Sequence, residues 1–243
     1  LRENDIYLPI IGVLTNLKES KKYESSLQST TIGIDAIFKN KKIEKSYLSI
    51  LLSSPTPSCG KTTTSLALAR MYASLGKKVL LYDLDLKKGD IHQKVPEYRI
   101  KFEDFLEIDK NKLDDFRIEN NLYAIQKFKR LSDSFIAINS DKFYKKFREV
   151  NEYFDIIIID TAPILSVSDT IQLCSLADVR LLTCRHDQTK INELKQSISL
   201  LDQIGTGFDG VLYNDYYRPK QYYGYYNYYG SYDYQYYAEK YLY

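Results

Sequence analysis

Tyr47–Gly76 reads YLSILLSSPTPSCGKTTTSLALARMYASLG, three segments of different character joined without a break. YLSILLSS is a continuous apolar run, which marks a strand buried on both faces. PTPSCGKT, Pro55 to Thr62, is a Pro- and Ser-rich turn. TTSLALARMYASLG has helical spacing and closes on Gly76 at a C-cap position. Strand, loop and helix in this order, with Gly60-Lys61-Thr62 at the join, fit the pattern G-x4-G-K-[ST], with Pro55 where the first Gly usually stands. A Gly-Lys-Thr tripeptide also begins ordinary helices; the flanking strand and helix set this one apart.

The pattern has chemical content. The backbone of Pro57, Ser58, Cys59 and Gly60 and the helix N-terminus would cradle phosphates, Lys61 would reach the β and γ oxygens, and the Thr62 hydroxyl would bind Mg²⁺. Thr63, one step into the helix, can bond the α-phosphate. Cys59 reads as a small tolerated residue rather than a redox switch.

Two further segments place carboxylates at strand ends. VLLYDLDLKKGD, Val79 to Asp90, carries Asp83 and Asp85 at the carboxyl end of a buried strand, where open α/β sheets bind ligands. At i and i+2 the two point the same way. One could hold Mg²⁺ while the other accepts a hydroxyl proton; strand-end Asp residues also start turns. FDIIIIDTAP, Phe154 to Pro163, is an apolar strand ending in Asp160, the form of a Walker B carboxylate that binds Mg²⁺. Together the three segments predict ATP-dependent chemistry with ATP and Mg²⁺.

NLYAIQKF, DVRLLTC and FDGVLYN read as further strands, and DKFYKKFREVNEY and QTKINELKQSISLLDQIG as helices between them. IGIDAIF suggests an amphipathic helix near the start. The expected fold is therefore α/β, a P-loop NTPase with a mostly parallel sheet flanked by helices on both faces.

Bulk properties exclude some classes. With Lys plus Arg at 34 and Asp plus Glu at 32, a formal charge of +2, the 243-residue chain has no basic field for nucleic acid. Cys59, Cys174 and Cys184 show no CxxC pair and suit a reducing compartment, so neither a disulfide nor zinc is expected. His92 and His186 are isolated and read as surface or satisfied core residues. No apolar run approaches the roughly 20 residues needed to span a bilayer. The absence of an initiating Met suggests that something upstream is missing. Fifteen of the 24 tyrosines lie between Tyr213 and Tyr243, where few aliphatic residues accompany them, which predicts a disordered low-complexity tail.

These motifs resemble those of the bacterial tyrosine kinases (BY-kinases), the cytoplasmic kinase domains of Wzc-type capsule and exopolysaccharide co-polymerases, over roughly Glu24 to the C-terminus. SSPTPSCGKTT resembles Walker A, LLYDLDLKKGDIH the Walker A′ motif, and FDIIIIDTAPILSVSD Walker B. RLLTCRHDQTKINEL and GVLYN resemble later family segments. The resemblance implies that Lys61, Asp83 and Asp85 are catalytic, with Lys61 neutralising the transferred phosphoryl group and Asp83 taking the tyrosine proton. It implies Thr62, Asp85 and Asp160 as metal residues and Asn214 as the adenine-recognising residue. It also makes the tail the autophosphorylated cluster, with Tyr222, Tyr223, Tyr225, Tyr226, Tyr228, Tyr229, Tyr232, Tyr234, Tyr236 and Tyr237 as acceptors. Thr56 stands where partition ATPases of the wider group carry a signature Lys, which favours the kinase branch.

The family's Glu-x-x-Arg-x-x-Arg motif, which helps build a ring of subunits, aligns with Glu24 but meets Leu27 and Thr30 in place of the arginines. A homo-oligomer is implied, with its ring form in doubt. Lys87 and Ala162 are smaller departures. LPIIGVL resembles the juxtamembrane stretch of one-chain relatives. The implied division is residues 1–23 as juxtamembrane linker, 24–215 as kinase domain and 216–243 as tail. The implied setting is the cytoplasmic face of the bacterial inner membrane. A membrane-spanning co-polymerase region and a cognate tyrosine phosphatase would be partners, and phosphorylation would regulate polysaccharide export. A partition-type ATPase switch and a nucleotide-binding scaffold remain the alternatives.

Overall fold

Strands that are apolar without alternation have to be covered on both faces, and here they are. The computed structural model describes residues 8–16, 20–85, 91–95, 102–107, 110–125, 136 and 138–216. Their strands are β1 (Ile10–Thr15), β2 (Leu48–Ser53), β3 (Val79–Leu84), β4 (Arg117–Glu119), β5 (Leu122–Ile125), β6 (Ile156–Thr161), β7 (Val179–Arg185) and β8 (Gly210–Tyr216). The helices are α1 (Ser20–Asn40), α2 (Lys61–Ser74), α3 (Ile91–Lys94), α4 (Phe102–Glu107), α5 (Asp141–Asn151), α6 (Asp169–Leu173) and α7 (Ile191–Asp202).

The strands form one eight-stranded sheet in the order β1-β8-β7-β2-β6-β3-β5-β4. Every pairing is parallel except β4 with β5. All six residues of β2, β3 and β6 are buried. The run of isoleucines in β6 shows why. Ile157 and Ile159 pack on one face with Phe143, Phe147, Ile198 and Leu201 of α5 and α7. Ile156 and Ile158 pack on the other with Leu27, Ile34, Leu66 and Leu68 of α1 and α2. Because β2 lies between β6 and β7, the chain order reverses beside it, and a crevice opens at its carboxyl end, the place where such sheets bind ligands.

The predicted strand–loop–helix appears as β2, loop and α2. Gly76 ends α2 as expected: with φ +80° it lets its own N–H reach Ala73 O at 3.0 Å and the Lys77 N–H reach Tyr72 O at 3.1 Å. That is the Schellman pattern. Three elements differ from the sequence expectation. Strand β1 and the first residues of α1 fall within 1–23, the stretch read as a linker, yet β1 pairs with β8 as part of the sheet. The helix expected at IGIDAIF begins instead at Ser20. Its buried stripe is Tyr23, Leu27, Thr30, Thr31 and Ile34, at helical spacing but partly polar, so hydrophobic pattern alone does not reveal it. Strand β4 is a three-residue antiparallel addition at the far edge.

Leu27 and Thr30, aligned with the family's two arginines, are 5% and 0% exposed. In this register neither position faces solvent. Among the described residues no helix is long and apolar enough to cross a membrane. The tyrosines expected as acceptors, Tyr222–Tyr237, and Lys87 lie outside the described residues.

Polar residues tie the strand starts together. The Asp178 carboxylate, ahead of β7, accepts bonds from Ser49 N at 3.0 Å, Ser49 Oγ at 2.6 Å and Lys45 Nζ at 2.7 Å. Both Ser49 donors are buried; without the carboxylate the Ser49 N–H loses its acceptor, while Ser49 Oγ keeps Leu176 O at 3.1 Å. Asp178→Ala is expected to lower the unfolding free energy by roughly 3 kcal/mol. Urea denaturation reads it; a midpoint unchanged from the parent would refute the clamp.

Candidate active site

The cradle is built by backbone conformation. Gly60 takes φ +89° immediately before α2. A Cβ there would lie 2.0 Å from the Asn214 amide nitrogen, so both backbone angle and space demand glycine. Ser58 also has positive φ, +66°. No side chain caps the start of α2, so its first N–H groups are available to an anion. The loop and helix start line a cleft of about 400 Å³ with Lys61, Thr62, Thr63, Asp85 and Arg185.

Three carboxylates converge beneath it. Asp83 and Asp160 are direct partners on the adjacent parallel strands β3 and β6. Asp83, Asp85 and Asp160 are 1%, 4% and 0% exposed. Lys61 Nζ pairs with Asp85 Oδ2 at 3.0 Å. Ser65 donates to Asp160 Oδ1 at 3.2 Å, and the Thr62 side chain also hydrogen-bonds Asp160. Asp83 Oδ2 accepts from Ile91 N at 3.4 Å. Asp83 Oδ1 and Asp160 Oδ2 are buried without a hydrogen-bond partner. Orphaned carboxylate oxygens beside a hydroxyl are a hard-oxygen donor set, which fits Mg²⁺. Among the described residues no three His, Cys, Asp or Glu side chains gather closely enough to hold a metal by themselves. Mg²⁺ does not require that, since it is commonly held by one or two carboxylates, substrate phosphate and water.

The structure thus brings Lys61, Thr62, Asp83, Asp85 and Asp160 together, with Pro57, Ser58, Gly60 and Thr63 on the cleft wall. Asn214 lies behind the loop, its Nδ2 donating to Cys59 O at 3.1 Å. Cys59 is fully buried, its Sγ 3.5 Å from Thr189 Oγ1 and 3.7 Å from Thr56 Oγ1. His186 contacts the Tyr213 hydroxyl at 2.7 Å. Sequence reading missed Ser65, Arg185 and Gln188. Ser65 could have been found one helical turn after Lys61, on the same face. Arg185 and Gln188 lie in RLLTCRHDQTKINEL, whose resemblance to a family segment implied no role for either residue.

The model of the AAA domain family matches residues 49–210 of the chain. The tyrosine-protein kinase CpsD of Streptococcus pneumoniae is 30% identical over 171 residues, which cover 68% of this chain and 74% of that protein. The tyrosine-protein kinase ptk of Acinetobacter johnsonii is 30% identical over 172 residues, covering 70% of this chain but 24% of its own length. The chain thus spans about a quarter of that longer relative. Among solved structures, the kinase domain of the Escherichia coli tyrosine kinase ETK superposes with a TM-score of 0.73 at 18% identity, over 85% of this chain and 90% of that one, a likeness of fold.

Burial and repulsion set the charge state of the cluster. Burial pushes Asp83 well above the ordinary carboxylate range, and the charges of Asp160 and Asp85 push it further. Burial likewise raises Asp160, against the opposing pull of Lys61 and the Thr62 hydrogen bond, to about 6. For Lys61, burial works to lower the pKa, but Asp160, Asp85 and Asp83 outweigh it and the net shift is upward. An unfolded Asp titrates near ~3.9, so folding favours neutral Asp160. That contribution is complete below the unfolded value and is lost as pH rises through about 6. Asp160→Asn cannot ionise. Without metal and nucleotide, it should be more stable than the parent by roughly 3 kcal/mol at pH 7, with the difference vanishing near pH ~4. Urea melts of both proteins across this range measure it, and parallel pH profiles would show that Asp160 does not carry the shift.

Proposed function

This chain belongs to the bacterial tyrosine-protein kinases and to the AAA domain family, and from that we propose that its cleft binds ATP and transfers the γ-phosphoryl group to tyrosine hydroxyls. The observation that carries the reading is the buried pair Asp83 and Asp160, adjacent in register beside Lys61 at the mouth of a phosphate-binding loop. A phosphoryl donor brings negative charge; a lysine and a cation must meet it, and a carboxylate of raised pKa must take the acceptor's proton.

The loop N–H groups and the start of α2 bind the phosphates. Lys61, now paired with Asp85 at 3.0 Å, turns or shares its ammonium with the transferred group. Thr62, Asp85 and Asp160 would hold Mg²⁺, which would supply positive charge to neutralise the phosphates. Asp83 accepts the tyrosine proton as the new O–P bond forms and the bond to the ADP oxygen breaks. A base with elevated pKa suits this task near neutral pH. The rest is positioning, because phosphoryl transfer asks little covalent chemistry of the protein. Asn214, beside Gly60, is placed in this reading at the adenine.

The acceptor in this reading is the tyrosine cluster Tyr222–Tyr237 of a neighbouring copy, with assembly regulated by the charge that each phosphate adds, about −1.5 to −2. The partners are further copies of the chain, a membrane-spanning co-polymerase region on this chain or another, and a tyrosine phosphatase that resets the cycle. The setting is the cytoplasmic face of the inner membrane and the role is control of capsule or exopolysaccharide export. Thr56, in place of a second lysine, supports the kinase reading over a partition ATPase.

Purified chain incubated with ATP and Mg²⁺ should acquire phosphotyrosine, detected with an antibody and located by mass spectrometry. Lys61→Met and Asp83→Asn should lower it by at least about a hundredfold while each variant keeps a cooperative melt. Undiminished phosphotyrosine in both folded variants would refute the assignment.

A further inference from the structure

We propose that Arg185 is a positioning residue for the phosphate-binding loop, acting through a chain of contacts, Asn16–Asp215–Arg185–Ser58, that ties the edge strand β1 to the cradle. The proposal rests on the cleft being a nucleotide site but not on tyrosine being the acceptor.

A loop that cradles phosphates must aim its N–H groups inward, so its carbonyls must aim outward and find donors. Three consecutive carbonyls of this loop do so. Pro57 O accepts from Gln188 Nε2 at 3.4 Å, Ser58 O from Arg185 Nη1 at 3.1 Å, and Cys59 O from Asn214 Nδ2 at 3.1 Å. In each planar peptide the carbonyl and the following N–H point in opposite directions. Fixing these carbonyls therefore fixes the N–H groups of Ser58, Cys59 and Gly60. All three donors come from β7, β8 and the turn after β7.

Arg185 is the charged member of the set and is itself held. Its Nε and Nη2 donate to Asp215 Oδ2 at 3.1 and 2.8 Å, and Asn16 Nδ2, just past β1, donates to Asp215 Oδ1 at 2.7 Å. Both residues that Arg185 bridges carry unfavourable backbone angles for non-glycine residues, Ser58 at φ +66° and Asp215 at φ +56°. Such conformations are costly and persist where surrounding contacts impose them.

The pairing of β1 with β8 supplies the geometry. Val13 pairs with Tyr213 and Thr15 with Tyr216, so two steps on β1 match three on β8. This bulge contains Asn214 and Asp215. Consecutive residues of a regular strand face opposite ways. Here Asn214 reaches the loop directly and Asp215 reaches it through Arg185, the re-aiming that bulges perform beside active sites. A shift of β1 along β8 would change what Arg185 can hold. Lysine could not replace it, because one ammonium lacks the planar fork that spans a carboxylate and a carbonyl.

The test is the affinity of the full chain for a fluorescent ADP analogue with Mg²⁺, alongside melting of the nucleotide-free proteins. Arg185→Gln should weaken binding about tenfold, and Arg185→Lys should not restore it. Asp215→Asn and Asn16→Ala, neither on the cleft wall, should weaken binding about threefold, and Asp215→Asn should add nothing in the Arg185→Gln background. If Arg185→Gln does not fold, the Asp215→Asn and Asn16→Ala affinities decide alone. Parental affinity in Arg185→Gln, or in both remote variants, would overturn the positioning role. Additive losses would overturn it too, by making Arg185 a direct ligand of the nucleotide. A parent chain that fails to bind the analogue would overturn the nucleotide reading itself.

Discussion

Two buried carboxylates side by side on neighbouring parallel strands, with only part of their charge answered by one lysine, are the constraint on which the rest of the site depends. Asp83 and Asp160 are partners in the ladder between β3 and β6, and each keeps one oxygen without a hydrogen-bond partner. Burying ionised groups in this state is costly. The protein meets part of the cost through raised pKa values and part through Lys61, Thr62 and Ser65. The remainder suits the site to positive charge, beside the loop proposed to bind phosphate.

The sheet makes that juxtaposition possible. Asp83 and Asp160 come level because β2, β3 and β6 run in register, with Val79 opposite Ile156 and Ile50 opposite Ile158. Each of those strands is buried over its whole length, and helices cover both faces. The apolar runs thus hold the strand ends rigidly, while the polar residues at those ends remain few and closely spaced. Burial sets the register and is the largest cause of the raised proton affinity of Asp83 and Asp160; the register brings the carboxylates close, and their mutual charge raises Asp83 further.

Much of this was legible in the residues. PTPSCGKT gave loop and helix start, and the aspartates ending LLYD and IIIID marked the strand ends that form the site. What was not legible depends on contacts distant in sequence. Strand β1 has no alternation strong enough to stand out, and it is a strand because β8 offers it an edge. The first half of α1 buries Thr30 and Thr31, which a hydrophobic pattern scores as surface. Arg185 meets the loop across 127 residues of chain and is held there by Asp215, from a bulge that no local pattern announces. Long-range polar contacts of this kind are where local reasoning ends.

The imbalance of charge can be measured directly by carbon-13 NMR titration of the aspartate side-chain carboxyls in the full chain, without metal or nucleotide. The account predicts one carboxyl, assigned by Asp160→Asn, titrating near about 6, and a second, assigned by Asp83→Asn, shifted well above the ordinary range, both moving down when Mg²⁺ and ADP are added. Carboxyls at both positions that titrate near ~3.9, with no response to Mg²⁺ and ADP, would contradict it.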